Sequence, residues 1–185
     1  AEKIVVSKDE SVSSCSGCVK SNSFLDALDR AFNGNENYYI FLEDPIFHID
    51  SEAIELFLVG KTIQSLHFTE NLAEGEREIF LKGKYMSKII FYEQPISFKI
   101  NKVIINIENI HFNFTRQFSL MEGFNCIFCV MVTNEYLGNI LIIDSHFSFN
   151  SLEENEFWDP EKKLSLFYLS GSNFMLKIEN TSILN

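Results

Sequence analysis

The sequence predicts an all-β chain wound as a short parallel β-helix, three strands to the coil, with one amphipathic helix covering its N-terminal end. Three observations predict it. A six-residue unit returns along the chain, as Ile63-Gln-Ser-Leu-His-Phe68, Ile107-Glu-Asn-Ile-His-Phe112, Ile142-Ile-Asp-Ser-His-Phe147 and Ile178-Glu-Asn-Thr-Ser-Ile183. The steps between copies are 107−63=44, 142−107=35 and 178−142=36, nearly periodic with one longer first step, and a fixed period is the mark of stacked repeats. From Tyr38 onward, short apolar and β-branched runs alternate with polar links, and no Asn-Gly or Asp-Gly pair offers a hairpin turn. Regularly spaced short strands also suit an antiparallel sandwich or jelly roll, which is the structural alternative.

The elements follow in order. Lys3 to Val6 reads as a first strand, and the Ser-rich segment Ser7 to Ser21 as a loop. Ser23 offers an N-cap with Asp26 three residues on, and Phe24, Leu25, Leu28, Ala31 and Phe32 share one helical face before Gly34 stops it. This is the one helix the pattern supports. Tyr38 to Leu42, Ile46 to Ile49, Ile54 to Val59 and Ile63 to Phe68 read as strands broken by Asp44-Pro45, Asp50-Ser51 and Gly60-Lys61. The charged stretch from Glu70 to Glu78 is expected to be a surface loop, because nothing in it beyond Leu72 is apolar enough to hold it in a core. Further strands are expected at Ile79 to Leu81, Lys88 to Tyr92, Ile96 to Ile100, Val103 to Phe114, Cys126 to Val132, Ile140 to Ile143, Ser145 to Phe149, Leu164 to Leu169 and Phe174 to Leu184. The whole of 1–185 reads as one domain. Residues 1–37 form the strand, Cys loop and capping helix, and 38–185 the coils, with insertions at 69–78 and 151–163.

Composition excludes some partners. Lys and Arg number 15 against 26 Asp and Glu, a formal charge of −11 without a basic cluster, so the phosphate neutralisation that drives nucleic-acid binding has no footing. The longest apolar run, Cys126 to Val132, falls far short of the roughly 20 residues of a membrane-spanning helix. The 19 Phe beside one Trp carry little functional weight at this level. A start at Ala1 fits a mature protein after leader removal.

His67, His111 and His146 fall in one column of the repeat, which a coil would stack about 4.8 Å apart. They are expected to point outward as solvated side chains, because each precedes an inward Phe; no metal site and no cofactor is expected. The column Ser65, Asn109, Asp144 and Asn180 is a bend column, where short polar side chains bond the backbone and tolerate left-handed conformations. Two sequons, Asn113-Phe-Thr115 and Asn180-Thr-Ser182, make Asn113 and Asn180 candidates for covalent N-glycans. Two Cys-x-x-Cys pairs, Cys15/Cys18 and Cys126/Cys129, are disulfide candidates; the second pair would face opposite sides of a regular strand, so a bond there needs a bend. Zinc and a free buried second pair are the other readings. Glu43, Asp44, Glu153, Glu154, Asp159 and Glu161 could be nominated as a carboxylate site, but on so acidic a chain they read as solvated surface. No catalytic residue is expected.

With the helix at Ser23 to Phe32 and the units Ile-x-[Asn/Asp]-x-x-Phe behind it, the chain resembles the right-handed parallel β-helix, or pectin lyase-like, superfamily, in particular its adhesin-like and polymorphic-outer-membrane-protein-like surface repeats. The enzymes of that superfamily carry Asp clusters with a nearby Arg or Lys. Here Arg30, Arg77 and Arg116 stand in no such motif, so the resemblance implies a structural or adhesive role in an extracellular, carbohydrate-rich setting.

The function expected is that of a secreted or cell-surface structural glycoprotein. Its fourth repeat runs to Asn185 without a second capping helix, and an open coil end favours head-to-tail assembly with copies of itself. The alternative is a carbohydrate-binding or polysaccharide-degrading module, with Tyr92, Tyr136, Trp158 and Tyr168 as candidate sugar-stacking residues. A third reading makes these residues one segment of a longer β-helix.

Overall fold

The structure is a computed structural model and describes residues 1–13, 15–63, 65–71, 76–115, 126–131, 138–149, 165–170 and 174–184. The N-terminal part of the chain holds β1 (Glu2–Val6), β2 (Val19–Ser21), α1 (Phe24–Asn33), β3 (Tyr38–Leu42), β4 (Ile46–Ile49) and α2 (Ser51–Leu58). There follow β5 (His67–Thr69), β6 (Glu78–Phe91), β7 (Ser97–Ile100), β8 (Ile104–Phe114) and β9 (Cys126–Met131). The last are β10 (Gly138–Ile143), β11 (His146–Phe149), β12 (Ser165–Ser170), β13 (Phe174–Glu179) and β14 (Ser182–Leu184).

The strands form a ten-stranded sheet, with β13-β10-β8-β6-β3-β1-β2 along its main path, and a four-stranded sheet, β12-β9-β7-β5. Every pairing among the described strands is parallel, which removes the antiparallel alternative. The chain alternates between the sheets: β6 in the large one, β7 in the small, β8 in the large, β9 in the small, β10 in the large.

The register stacks like on like. Val19, Ile4, Ile40, Leu81, Ile107, Ile142 and Ile178 form one column, and Phe47, Ile89, Phe112, Phe147 and Ile183 another. The unit preceding Ile107 is therefore Leu81, not Ile63. The copy at 63–68 belongs to the small sheet, where His67 pairs with Ser97 and Phe68 with Phe98. The 44-residue interval is therefore not a repeat step: along the column the steps are 81−40=41, 107−81=26, 142−107=35 and 178−142=36, and the Leu81 unit escapes the pattern because it carries Gly83 where later units carry Asn or Asp.

Phenylalanine fills the interior as ladders. Phe68, Phe98, Phe128 and Phe167 of the small sheet follow one another with ring centroids 5.9, 5.4 and 5.4 Å apart, and Phe32 of α1 continues the ladder 5.8 Å from Phe68. In the large sheet Phe91, Phe114 and Phe149 stack at 5.0 Å steps, as do Phe112 and Phe147. Each such pair contributes about 0.5–1.5 kcal/mol beyond its burial. The aromatic skew therefore has a physical use that composition alone does not reveal.

α1 forms as its sequence dictates: Ser23 accepts a hydrogen bond from the Asp26 N–H at 3.1 Å, and Phe24, Leu25, Ala27, Leu28, Ala31 and Phe32 are buried. Gly34 ends it with an extended backbone, φ −77°, instead of a left-handed one. A β-carbon there would collide with the Tyr38 ring, so the glycine is needed for space. Residues 54–59, expected as a strand, belong instead to α2 and its C-cap. Asp50 caps that helix by accepting the Ala53 N–H at 2.9 Å, and Ile54 and Phe57, one turn apart, are its buried face. Two expected strands, at 79–81 and 88–92, are joined in the single strand β6, and the expected Ser-rich loop contains β2.

The charged insertion at 69–78 is held by its polar residues. Glu70 is buried and accepts hydrogen bonds from the backbone N–H groups of Asn101, Lys102 (2.6 Å) and Val103 (3.0 Å). Arg77, also buried, donates to the carbonyls of Ala31 at 2.7 Å and Phe32 at 2.9 Å, the orphan acceptors at the end of α1. The insertion at 151–163 lies outside the described residues.

Candidate functional site

The sheet edge formed by β13 and β14 is the feature with the clearest capacity to interact. Ile142 and Phe147 are fully buried, yet their partners in the next rung, Ile178 and Ile183, are 39% and 49% exposed. These two side chains continue interior columns and have nothing packed beyond them among the described residues. Among the described strands β13 pairs only with β10, and β14 only with β11. A row of backbone donors and acceptors lies beside exposed apolar side chains, which is the chemistry of strand addition.

The bend column is real for three of its four members. Asn109, Asp144 and Asn180 adopt left-handed backbone angles, φ 60°, 49° and 46°, where a short polar side chain is tolerated. Asn180 Nδ2 donates to Asp144 Oδ1 at 2.6 Å, and Asn109 Nδ2 to the Gly83 carbonyl at 3.0 Å. Ser65 does not belong, because it precedes β5 in the other sheet. In β6 the bend is expanded: between the pairs Lys82/Glu108 and Ser87/Ile110, residues Gly83 to Met86 stand opposite Asn109 alone. This places exposed Tyr85 and Met86 on the bend side, with Met86 left-handed at φ 52°.

The histidine column reduces to a pair. His111 and His146 are in register with ring centroids 4.4 Å apart, whereas His67 lies in the small sheet. His111 Nε2 and Ser148 Oγ are 2.7 Å apart, and His146 Nδ1 shares a hydrogen bond with Ser182 Oγ. The expectation of a freely solvated His111 is corrected: burial first, then His146 and Lys88, pull its pKa down to about 4. Burial, with help from Lys99, does the same to His67, also to about 4. Among the described residues no three His, Cys, Asp or Glu side chains group to hold a metal ion.

The two glycan acceptors differ in setting. Asn180 is exposed on the bend between β13 and β14. Asn113 faces outward from β8 as expected but is half-buried, its Nδ2 donating to Ser148 Oγ at 2.9 Å, and Thr115 Oγ1 donates to the Phe91 carbonyl at 3.1 Å. Both cysteine pairs form disulfides, Cys15–Cys18 and Cys126–Cys129. The second has the bend it requires: its Cα atoms are 5.6 Å apart across three residues, far less than an extended strand would span.

The nominated surface residues scatter. Tyr92 stacks on His48 with its hydroxyl 2.7 Å from Nδ1, and Tyr168 stands exposed on β12, so the two do not share a sheet face. Tyr136 and Trp158 lie outside the described residues, as do Glu153, Glu154, Asp159 and Glu161. Glu43 pairs with Lys84 at 3.0 Å, and Asp44 accepts from Ser7 Oγ at 2.5 Å and the Lys8 N–H at 2.7 Å. Both therefore hold loops together. A cleft of about 380 Å³ beside α1 is lined by Asp29, Asn33, Lys61, Thr62 and His67 over Phe32 and Phe68. No helix among the described residues is long and apolar enough to cross a membrane.

In comparisons with known proteins, no family model matches the chain, and neither a curated protein nor a solved structure matches it significantly.

Proposed function

We propose that the chain is a short parallel β-helix acting as a secreted or cell-surface structural glycoprotein that associates end to end with copies of itself. The coil reading rests on the parallel columns and on the alternation between two sheets. Paired cysteines and the exposed sequon at Asn180 favour an oxidising, glycosylating compartment.

The observation that carries the association is the half-exposed pair Ile178 and Ile183, interior residues by register and surface residues by accessibility. Sedimentation velocity across a concentration series tests it. The wild type is expected to form larger species with concentration. Ile178→Lys and Ile183→Lys should abolish this without lowering thermal stability, since both side chains are already partly hydrated. A wild type that stays monomeric throughout contradicts the proposal. The carbohydrate-module reading has weaker support, because its two described aromatic candidates occupy different faces.

A further inference from the structure

The end-to-end reading names one edge, and the register identifies what fits it. The two edges of the large sheet's main path are β2 and β13, and because the sheet is wholly parallel both strands point the same way. A second copy set with its β2 beside β13 would extend the sheet in parallel, continuing the two columns that run from β2 to β13. One interior column begins at Val19, half-buried, and ends at Ile178, so the copies would meet apolar side against apolar side.

The neighbouring outward column runs Lys20, Val5, Phe41, Lys82, Glu108, Ile143, Glu179. It begins on an exposed cation and ends on an exposed anion. Lys20 Nζ donates to the Asp9 carbonyl at 2.8 Å, and Glu179 pairs with Lys177 at 2.8 Å. Either contact leaves the charge at the surface. β2 has only three residues, so few backbone hydrogen bonds can define the contact, and like charges at this position would oppose it.

We infer that the occupant of the β13 edge is the β2 edge of a second copy, with Lys20 of one chain against Glu179 of the other. This rests on the end-to-end reading and adds the identity of the complementary surface. It also makes the contact heterologous, and because each joint continues the parallel sheet in one direction, copies add as an open filament.

Charge reversal tests it by sedimentation velocity at low ionic strength. Lys20→Glu and Glu179→Lys should each weaken association about tenfold, the effect of setting like charges in place of opposite ones. An equimolar mixture of the two variants, and the double variant Lys20→Glu/Glu179→Lys, should recover wild-type association, because each restores opposite charges at every joint. Thermal melts check that the variants stay folded. If the wild type associates and neither reversal changes it, the β2 partner is wrong while the end-to-end reading stands. If the wild type does not associate at all, both fall.

Discussion

The backbone carbonyl of Asn109 occupies the space that a β-carbon on Gly83 would need, and Asn109 Nδ2 donates to the Gly83 carbonyl at 3.0 Å. The left-handed residue of one rung is thereby locked to the glycine of the rung before it. Gly83→Ala should destabilise the chain by about 1–3 kcal/mol, because the clash is with backbone that cannot rotate away. Chemical denaturation measures it; an unchanged midpoint would show that the contact relaxes at no cost. Asn109→Val should cost more than Asn109→Gly, since glycine keeps the φ of 60° and loses only the side-chain hydrogen bond.

Arg77 carries a second prediction. Its guanidinium is buried against the carbonyls of Ala31 and Phe32 and lies near Glu70, so Arg77→Met takes a donor from both carbonyls and removes the positive charge beside a buried carboxyl. A loss on the order of 3 kcal/mol is expected, and hydrogen exchange should localise it to the end of α1. A uniform change across all amides would contradict this assignment.

Stability should fall on acidification. His67 and His111 are held neutral, with pKa values pulled to about 4. The unfolded chain therefore binds more protons than the folded one between roughly pH 6.5 and 4. Their contribution is full above that window and is lost as pH descends through it. Glu70 acts in the opposite sense. Burial outweighs its hydrogen bonds and Arg77 and raises its pKa, so its contribution is present at low pH and lost as pH rises through the raised value. Thermal melts from pH 7 to pH 4 should show a decline that is shallower in His111→Asn; equal slopes would remove His111 from the explanation.

The disulfides should matter modestly to folding. Each closes a loop with a separation of three residues, for which the loop-entropy relation gives about 2 kcal/mol. Reduction should lower the midpoint without unfolding the chain at room temperature, as circular dichroism would report.

Much of the fold was legible in the sequence, for identifiable reasons. α1 could be read because Ser23, Asp26 and a clean apolar face agree with one another. α2 could not, because Ile54, Leu56 and Leu58 alternate as a strand would, and Asp50 is its only helical cue. The units at 107, 142 and 178 are in register, whereas Ile63 was a false match and the true neighbour at Leu81 was hidden by Gly83 and an expanded bend. Buried Glu70 and Arg77 had no sequence signal, since both lie in a stretch whose charge argues for solvent. For the candidate site, periodicity pointed to the terminal unit, but only accessibility shows that Ile178 and Ile183 are interior residues left uncovered.

The most direct test of end-to-end association is negative-stain imaging of the purified protein at high concentration and low salt. Filaments one chain across with a regular axial repeat are predicted. Separate compact particles under the same conditions would contradict the proposal that β13 and β14 form a joint.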